Sequence, residues 1–342
     1  MICAMVLAIA AGMVSGAPRA QASVLAPAAG YGFAQGSSPL TQSAATINRE
    51  LDAVSRTGAG WLRVMVDWST IERVRGQYDW SVPDRVIGAA RRHHLRVLSN
   101  VLTTPQWARG SAPLGIYAPP ADPAALGRFM KAFIARYPDV TDHEIWNEPN
   151  LPLFWGAQAP DPVRYTALLR AAYVAIKAVQ PNSTVVAAGL SPGAGATGFV
   201  AAMYAAGAQR FFDALAMHPY VFPGGITATP NGWTEVGGIR AVMVRHGDAR
   251  KKIWLTEIGA PTLPAGGTAP IGFGVTDMVT QRAQARQITD VLAAAARTGY
   301  CGTAFIYSVR DAGTSPANRE DHFGALLTID WKPKYAATVL RR

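Results

Sequence analysis

Short apolar or β-branched runs alternate along this chain with longer segments whose apolar residues recur every three to four positions. Eight runs stand out: Gly30–Ala34, Trp61–Val66, Arg96–Val101, His143–Asn147, Thr184–Ala188, Ala214–His218, Lys252–Glu257 and Gly302–Tyr307. Each is followed by a segment with helical periodicity. The clearest helices are predicted over 122–137, opened by Asp122-Pro123, over 161–180, between Asp161-Pro162 and Pro181, and over 277–298, between a Thr276 cap and Gly299. Strands apolar on both faces that alternate with helices predict a parallel sheet. Eight such units in about 300 residues fit a single-domain α/β fold, a closed (β/α)8 TIM barrel, better than an open doubly wound sheet. The open sheet would want Gly-x-Gly-x-x-Gly after the first strand, whereas Gly30-Tyr-Gly-Phe-Ala-Gln-Gly36 misses that spacing and has no helix directly behind it. The barrel domain is expected over 46–342, with its first strand near 30–35 and a Ser/Ala/Pro/Gly-rich lead-in over 23–45.

Composition agrees with a large core. Of 342 residues 49% are hydrophobic and 16% charged, which excludes disordered, collagen-like and coiled-coil chains. The 32 Lys and Arg against 22 Asp and Glu leave a net charge of +10. The densest basic stretches, 91–96 and 250–252, fall at the ends of predicted helices just before strands, where cations suit the helix dipole. No nucleic-acid motif accompanies them, so nucleic acid is not an expected partner. An acidic glycan stays open as one, although scattered Lys and Arg would give the same total.

Residues 1–22 form an apolar stretch ending in Ala20-Gln21-Ala22 and read as a secretory signal peptide. The stretch lacks a basic start, so an uncleaved anchor is the alternative, and its apolar run is short for a spanning helix. The expected product is secreted or held in the cell envelope as a monomer, with no stable membrane insertion after cleavage. Cleavage would leave one cysteine, Cys301, at the start of an apolar run where a buried small hydrophobe is expected.

In a parallel barrel chemistry sits at the strand C-termini. The fourth run ends in Trp146-Asn147-Glu148-Pro149 and the seventh in Thr256-Glu257-Ile258-Gly259. Strands four and seven lie across the ring from one another, so Glu148 and Glu257 can face each other over the mouth. Two opposed carboxylates match glycoside cleavage, in which one group protonates the leaving oxygen and the other attacks the anomeric carbon. A salt bridge to a nearby Arg is the ordinary role of either carboxylate alone.

These motifs resemble the retaining glycoside hydrolases of clan A, and family 39 in particular, with family 5 as second choice. Arg63 at the end of strand two and His218-Pro219-Tyr220 at the end of strand six extend the resemblance, as do Trp68, Glu72, Gly76, Tyr78, Asp79 and Trp80 after strand two. It implies Glu148 as acid/base, Glu257 as nucleophile, Asn147 on the sugar 2-hydroxyl, and Arg63 and Tyr220 hydrogen-bonded to Glu257. It implies a secreted β-glycosidase acting on an oligosaccharide or polysaccharide without metal or organic cofactor. His218 would orient a neighbour or a sugar hydroxyl, since no second ligand stands at metal spacing. At strand eight the pattern departs: relatives offer a Trp floor for the sugar, whereas here Tyr307 is the nearest aromatic candidate, and a non-proline cis peptide would fall at Tyr307-Ser308. Trp107 and Trp155, in Pro/Gly loops on the active face, are candidate stacking residues, with loop packing as the alternative. Trp61, Trp146 and Trp254 read as core. Arg310-Asp311 and Glu320-Asp321-His322 read as a solvated loop, and Asp67 either faces the mouth or caps the turn to Trp68. Two other classes remain open: a catalytically silent carbohydrate-binding barrel and a scaffold anchored by an uncleaved N-terminus.

Overall fold

Every one of the eight apolar runs is a strand: β1 (Tyr31–Ala34), β2 (Trp61–Asp67), β3 (Arg96–Leu102), β4 (Asp142–Asn147), β5 (Thr184–Leu190), β6 (Ala214–Met217), β7 (Lys252–Ile258) and β8 (Cys301–Tyr307). The computed structural model describes residues 24–110, 115–263 and 277–342. All neighbouring strands pair in parallel in the order β1 to β8, and β8 returns to β1, so the sheet closes. The fold is the expected (β/α)8 barrel. The expected signal peptide, 1–22, lies outside the described residues, and no helix among those described is long and apolar enough to cross a membrane.

Helices connect the strands: α1 (Ala44–Ser55) after β1, α2 (Trp68–Ile71) and α3 (Ser81–Arg92) after β2, α4 (Ala124–Arg136) after β3 and α5 (Pro162–Val179) after β4. They continue with α6 (Ala196–Ala205), α7 (Gly232–Arg245), α8 (Gln281–Thr298) and α9 (Tyr335–Val339) after β5, β6, β7 and β8. The α5 start obeys its sequence signal, because the Asp161 carboxylate accepts the Val163 and Arg164 N–H groups while Pro162 fills the first helical position. The α8 start is later than the expected 277. Its cap is Thr280, whose hydroxyl accepts the Ala283 N–H, and Val279 is held instead in a bridge to Thr262.

Two apolar layers support the site. One lies between strands and helices, and the other fills the barrel with Trp61, Trp254 and Phe305 among small residues such as Ala34, Ala214 and Ala216. Trp61 meets the edge of Trp254 at 5.5 Å, and Trp254 stacks on Phe305 at 6.3 Å. Trp61, Trp146 and Trp254 are thus core residues, and Cys301 is a buried thiol. The seam between first and last strands is latched by the buried Glu50 of α1, which accepts hydrogen bonds from Gln35 (2.6 Å), Gln42 (2.9 Å) and Arg310 (2.7 Å). The basic stretches sit at the opposite end of the barrel from the strand C-termini and are matched locally. Arg91 pairs with Asp139, Arg96 lies 3.3 Å from Asp142 and over the Trp61 ring, and Lys251 lies 2.9 Å from Asp248.

Candidate active site

β4 ends in a backbone kink. Trp146 (φ 77°) and Glu148 (φ 41°) both adopt the left-handed region, which costs a residue bearing a Cβ and persists only where the surroundings enforce it. Here they do so: the Trp146 indole N–H donates to the Phe154 carbonyl (2.8 Å), the Asn100 amide donates to the Trp146 carbonyl (2.8 Å), and the Glu148 N–H reaches the Gly189 carbonyl of β5 (2.9 Å). In a regular strand Asn147 and Glu148 would face opposite ways, whereas the kink turns both into one cleft.

Arg63, buried at the mouth end of β2, spends each guanidinium nitrogen on a different partner. Nε donates to Glu144 (2.5 Å), one terminal nitrogen to Glu257 (2.6 Å) and the other to the Asn147 carbonyl oxygen (2.8 Å). Glu144 is fully buried and is fixed in turn by the Gly189 N–H (3.0 Å) and the Thr256 hydroxyl (2.8 Å). Glu257 at the end of β7 also accepts the Tyr220 hydroxyl (2.7 Å). Burial alone would raise the Glu257 carboxyl, but the charges of His218 and Arg63 and the hydrogen bonds from Tyr220 and Arg63 outweigh it and hold it below the ordinary carboxylate range. Burial, reinforced by the Glu257 charge, pushes the Tyr220 phenol well above its usual range, so it remains a donor.

His218 connects the two carboxylates across the barrel. Its Nδ1 is 2.9 Å from Glu148 Oε1 and 3.6 Å from Glu257 Oε2. Burial favours a neutral imidazole, yet the facing carboxylates of Glu257 and Glu148 prevail and raise its pKa above the ordinary histidine value. Room for the ring comes from Gly189, where a Cβ would lie 2.1 Å from His218 Nε2 and 2.6 Å from Thr256 Oγ1. Gly189→Ala is therefore expected to lower stability by about 1–3 kcal/mol and to cut turnover at least about tenfold by displacing His218. A thermal melt and a rate measured on one preparation check it.

The cleft has a volume of about 720 Å³ and is lined by Arg63, Asn147, Glu148, Tyr220, Glu257 and Tyr307 among the expected residues. His218 stands behind the carboxylates rather than on the surface. Tyr307 ends β8 at a cis Tyr307–Ser308 peptide and packs on Phe323 at 5.3 Å, in the place where relatives were expected to carry Trp. Two expectations are corrected. Trp155 is 1% exposed, its ring enclosed by Trp146 and Tyr165, so loop packing is its role, while its neighbours Leu153 and Phe154 line the cleft. Trp107 also stands away from the lining, edge-on to Trp68 with its N–H on the Glu72 carbonyl (2.8 Å). Trp155→Ala is expected to cost about 3–5 kcal/mol, read as a lowered Tm.

Asp67 proves to be a cap: its carboxylate accepts the Ser69 hydroxyl (2.6 Å), the Thr103 hydroxyl (2.6 Å) and the Thr70 N–H. The 310–322 loop is not simply solvated. Arg310 joins the Glu50 latch, Asp311 meets the buried Lys334 at 3.0 Å, and Arg319 and Glu320 reach the cleft rim. Sequence reasoning also missed Asn100, Tyr117 and Phe222 in the lining and Glu144 beneath it. No pattern singled out Glu144, because Asp142, His143 and Asn147 of the same strand are polar as well.

No family model and no curated protein matches the chain by sequence. Among solved structures it is similar to a family 39 glycoside hydrolase from Bacteroides cellulosilyticus WH2, at 21% identity and a TM-score of 0.68 over 92% of this chain and 64% of that one. It is likewise similar to a monomeric β-xylosidase from Caulobacter crescentus CB15 (19%, TM-score 0.67, 91% and 66%). A family 5 subfamily 18 enzyme from Streptomyces cattleya gives 18% and 0.64 over 93% and 79%. The chain spans a little under two thirds of the length of the first two of these structures. The barrel of this chain has the fold of the family 39 and family 5 glycoside hydrolases of clan A.

Proposed function

We propose that the chain is a secreted retaining glycoside hydrolase that cleaves β-glycosidic bonds of an oligosaccharide or polysaccharide by double displacement. The observation that carries this reading is the pair Glu148 and Glu257 bracketing one nitrogen of His218. The two oxygens concerned can be no farther apart than 2.9 Å and 3.6 Å laid end to end. The two carboxyl groups thus face one space, as a paired-carboxylate glycosidase requires.

Glu257 attacks the anomeric carbon; the bond to the leaving oxygen breaks, and that oxygen takes the proton from Glu148. His218 Nδ1–H donates to Oε1 of Glu148, which leaves Oε2 free to face the leaving group. The Asn147 carbonyl oxygen is held by Arg63, so its amide N–H groups are free to bind the sugar 2-hydroxyl. Formation of the glycosyl ester discharges Glu257, and Glu148 then accepts a proton from the water that attacks the same carbon and restores the Glu257 carboxylate. Tyr307 supplies an aromatic face for the sugar ring.

Hydrolysis of aryl β-glycosides, with the first-formed anomer followed by NMR, tests the mechanism. Retained configuration is expected, an inverted product would overturn the role of Glu257, and sugar binding without turnover would favour a silent barrel. Recovery of a chain beginning at Ser23 tests secretion. The pH profile has a definite sign. Because the Glu257 carboxyl is held low, the acid limb of kcat/KM should lie below the ordinary carboxylate range. An acid limb at or above the usual carboxylate value would contradict the Arg63 and His218 environment of Glu257.

A further inference from the structure

The protein is strongly basic, yet its cleft is not. Three carboxylates, Glu235, Glu257 and Glu320, and the carboxyl of the acid Glu148 line the cleft against two guanidiniums, Arg63 and Arg319, with the His218 imidazole behind them. Each guanidinium is already faced by two carboxylates. Arg63 is buried with all three nitrogens engaged, and Arg319 lies at the rim between Glu320 (3.3 Å) and Asp277 (3.6 Å). Glu320 is 54% exposed and adds its charge at the entrance, while Glu235 accepts the Gly193 N–H. No other basic residue lines the cleft among the described residues, and the two internal stretches outside them, 111–114 and 264–276, contain no charged residue. The rest of the lining is uncharged: hydroxyl and amide groups of Ser37, Asn100, Ser191 and Asn231, the aromatic Tyr117 and Phe222, and aliphatic residues such as Met65 and Leu102.

The basic stretch at the far end of the barrel does not alter this field. The basic stretch entering β3 at Arg96 is six residues from Leu102 in the lining, about 20 Å along a strand. That is roughly two Debye lengths at about 0.1 M salt, so the field of those cations is largely screened at the mouth. Carboxylates in a cleft with low-dielectric walls act at much closer range.

We infer that the substrate is an electrically neutral glycan, bound through hydroxyl and aromatic contacts, and that the cleft rejects sugars bearing carboxylate, sulfate or phosphate. This rests on the glycosidase reading and answers the question of an acidic glycan that the overall charge leaves open.

The test uses matched 4-nitrophenyl β-glycosides that differ only at C6, glucoside against glucuronide and galactoside against galacturonide, with the xyloside and mannoside as further neutral probes. Turnover of neutral members is expected, with the matched uronide poorer by on the order of 100-fold in kcat/KM at about 0.05 M salt. Raising the salt should narrow that gap, and Glu320→Lys should narrow it at low salt. A uronide turned over as well as its neutral partner, or a uronide rate that falls as salt rises, would overturn the inference. Turnover of no member would count against the glycosidase reading instead. The charge argument is then decided by saturation-transfer NMR with free glucose, galactose and xylose against free glucuronate and galacturonate. Transfer to the neutral sugars alone supports the inference, and transfer to the uronates, or to no sugar, sinks it.

Discussion

Glu257→Ala is expected to lower kcat by about 10³–10⁵-fold while leaving the fold intact, because the variant removes the group that forms the covalent bond while Arg63 keeps Glu144 and Asn147 as partners. The measurement that distinguishes this from general damage is rescue by azide. With Glu257 gone, azide enters the vacated space, attacks from that face and gives a glycosyl azide of inverted configuration. In Glu148→Ala the ester on Glu257 still forms with a good leaving group, and azide then attacks from the opposite face to give the retained product. The reverse result, a retained glycosyl azide from Glu257→Ala and an inverted one from Glu148→Ala, would show that the two carboxylates have been assigned the wrong roles.

Arg63→Leu should lower stability by about 3–5 kcal/mol, because it leaves a fully buried Glu144 and the facing Glu257 without their shared cation. The sign with pH follows from the environment. In wild type the charges of His218 and Arg63 hold the Glu257 carboxyl low against burial, so removing Arg63 lets its pKa rise. A carboxylate whose folded pKa lies above its unfolded value loses stability as pH rises through the unfolded value. The deficit of Arg63→Leu should therefore be larger at neutral pH than near pH 4, and the acid limb of kcat/KM should move upward. Chemical denaturation at the two pH values measures the first effect, and a deficit independent of pH would mean that packing, not charge, is what Arg63 supplies.

The architecture was legible because parallel strands buried on both faces leave unbroken apolar runs, and all eight begin or end within a few residues of the expected positions. Glu148 and Glu257 were legible for a related reason, since each follows such a run at the end where a barrel is open. Side-chain direction in loops was not. Phe154 and Trp155 are adjacent in a 3-10 turn ended by the left-handed Gly156, and only the turn decides that Phe154 faces the cleft while Trp155 faces the core. Arg319 and Glu320 were hidden likewise, because the loop that carries them is tied down by a distant lysine, Lys334. Glu144 was hidden by its depth: its partners come from β2, β5 and β7, and no spacing along the chain announces them.

The Glu50 latch carries a consequence for how the protein comes to life during folding. It joins Arg310 to a residue 260 positions earlier and clamps a seam whose first strand is only four residues long. Drawing such distant segments together costs loop entropy before the contacts return anything, so the seam should be among the last pairings made. The reactive groups are spread over β2, β4, β6, β7 and β8 and converge only inside the completed ring. A nascent chain that has assembled every strand but one would thus be chemically mute, and the onset of turnover during refolding would mark the moment the circle shuts.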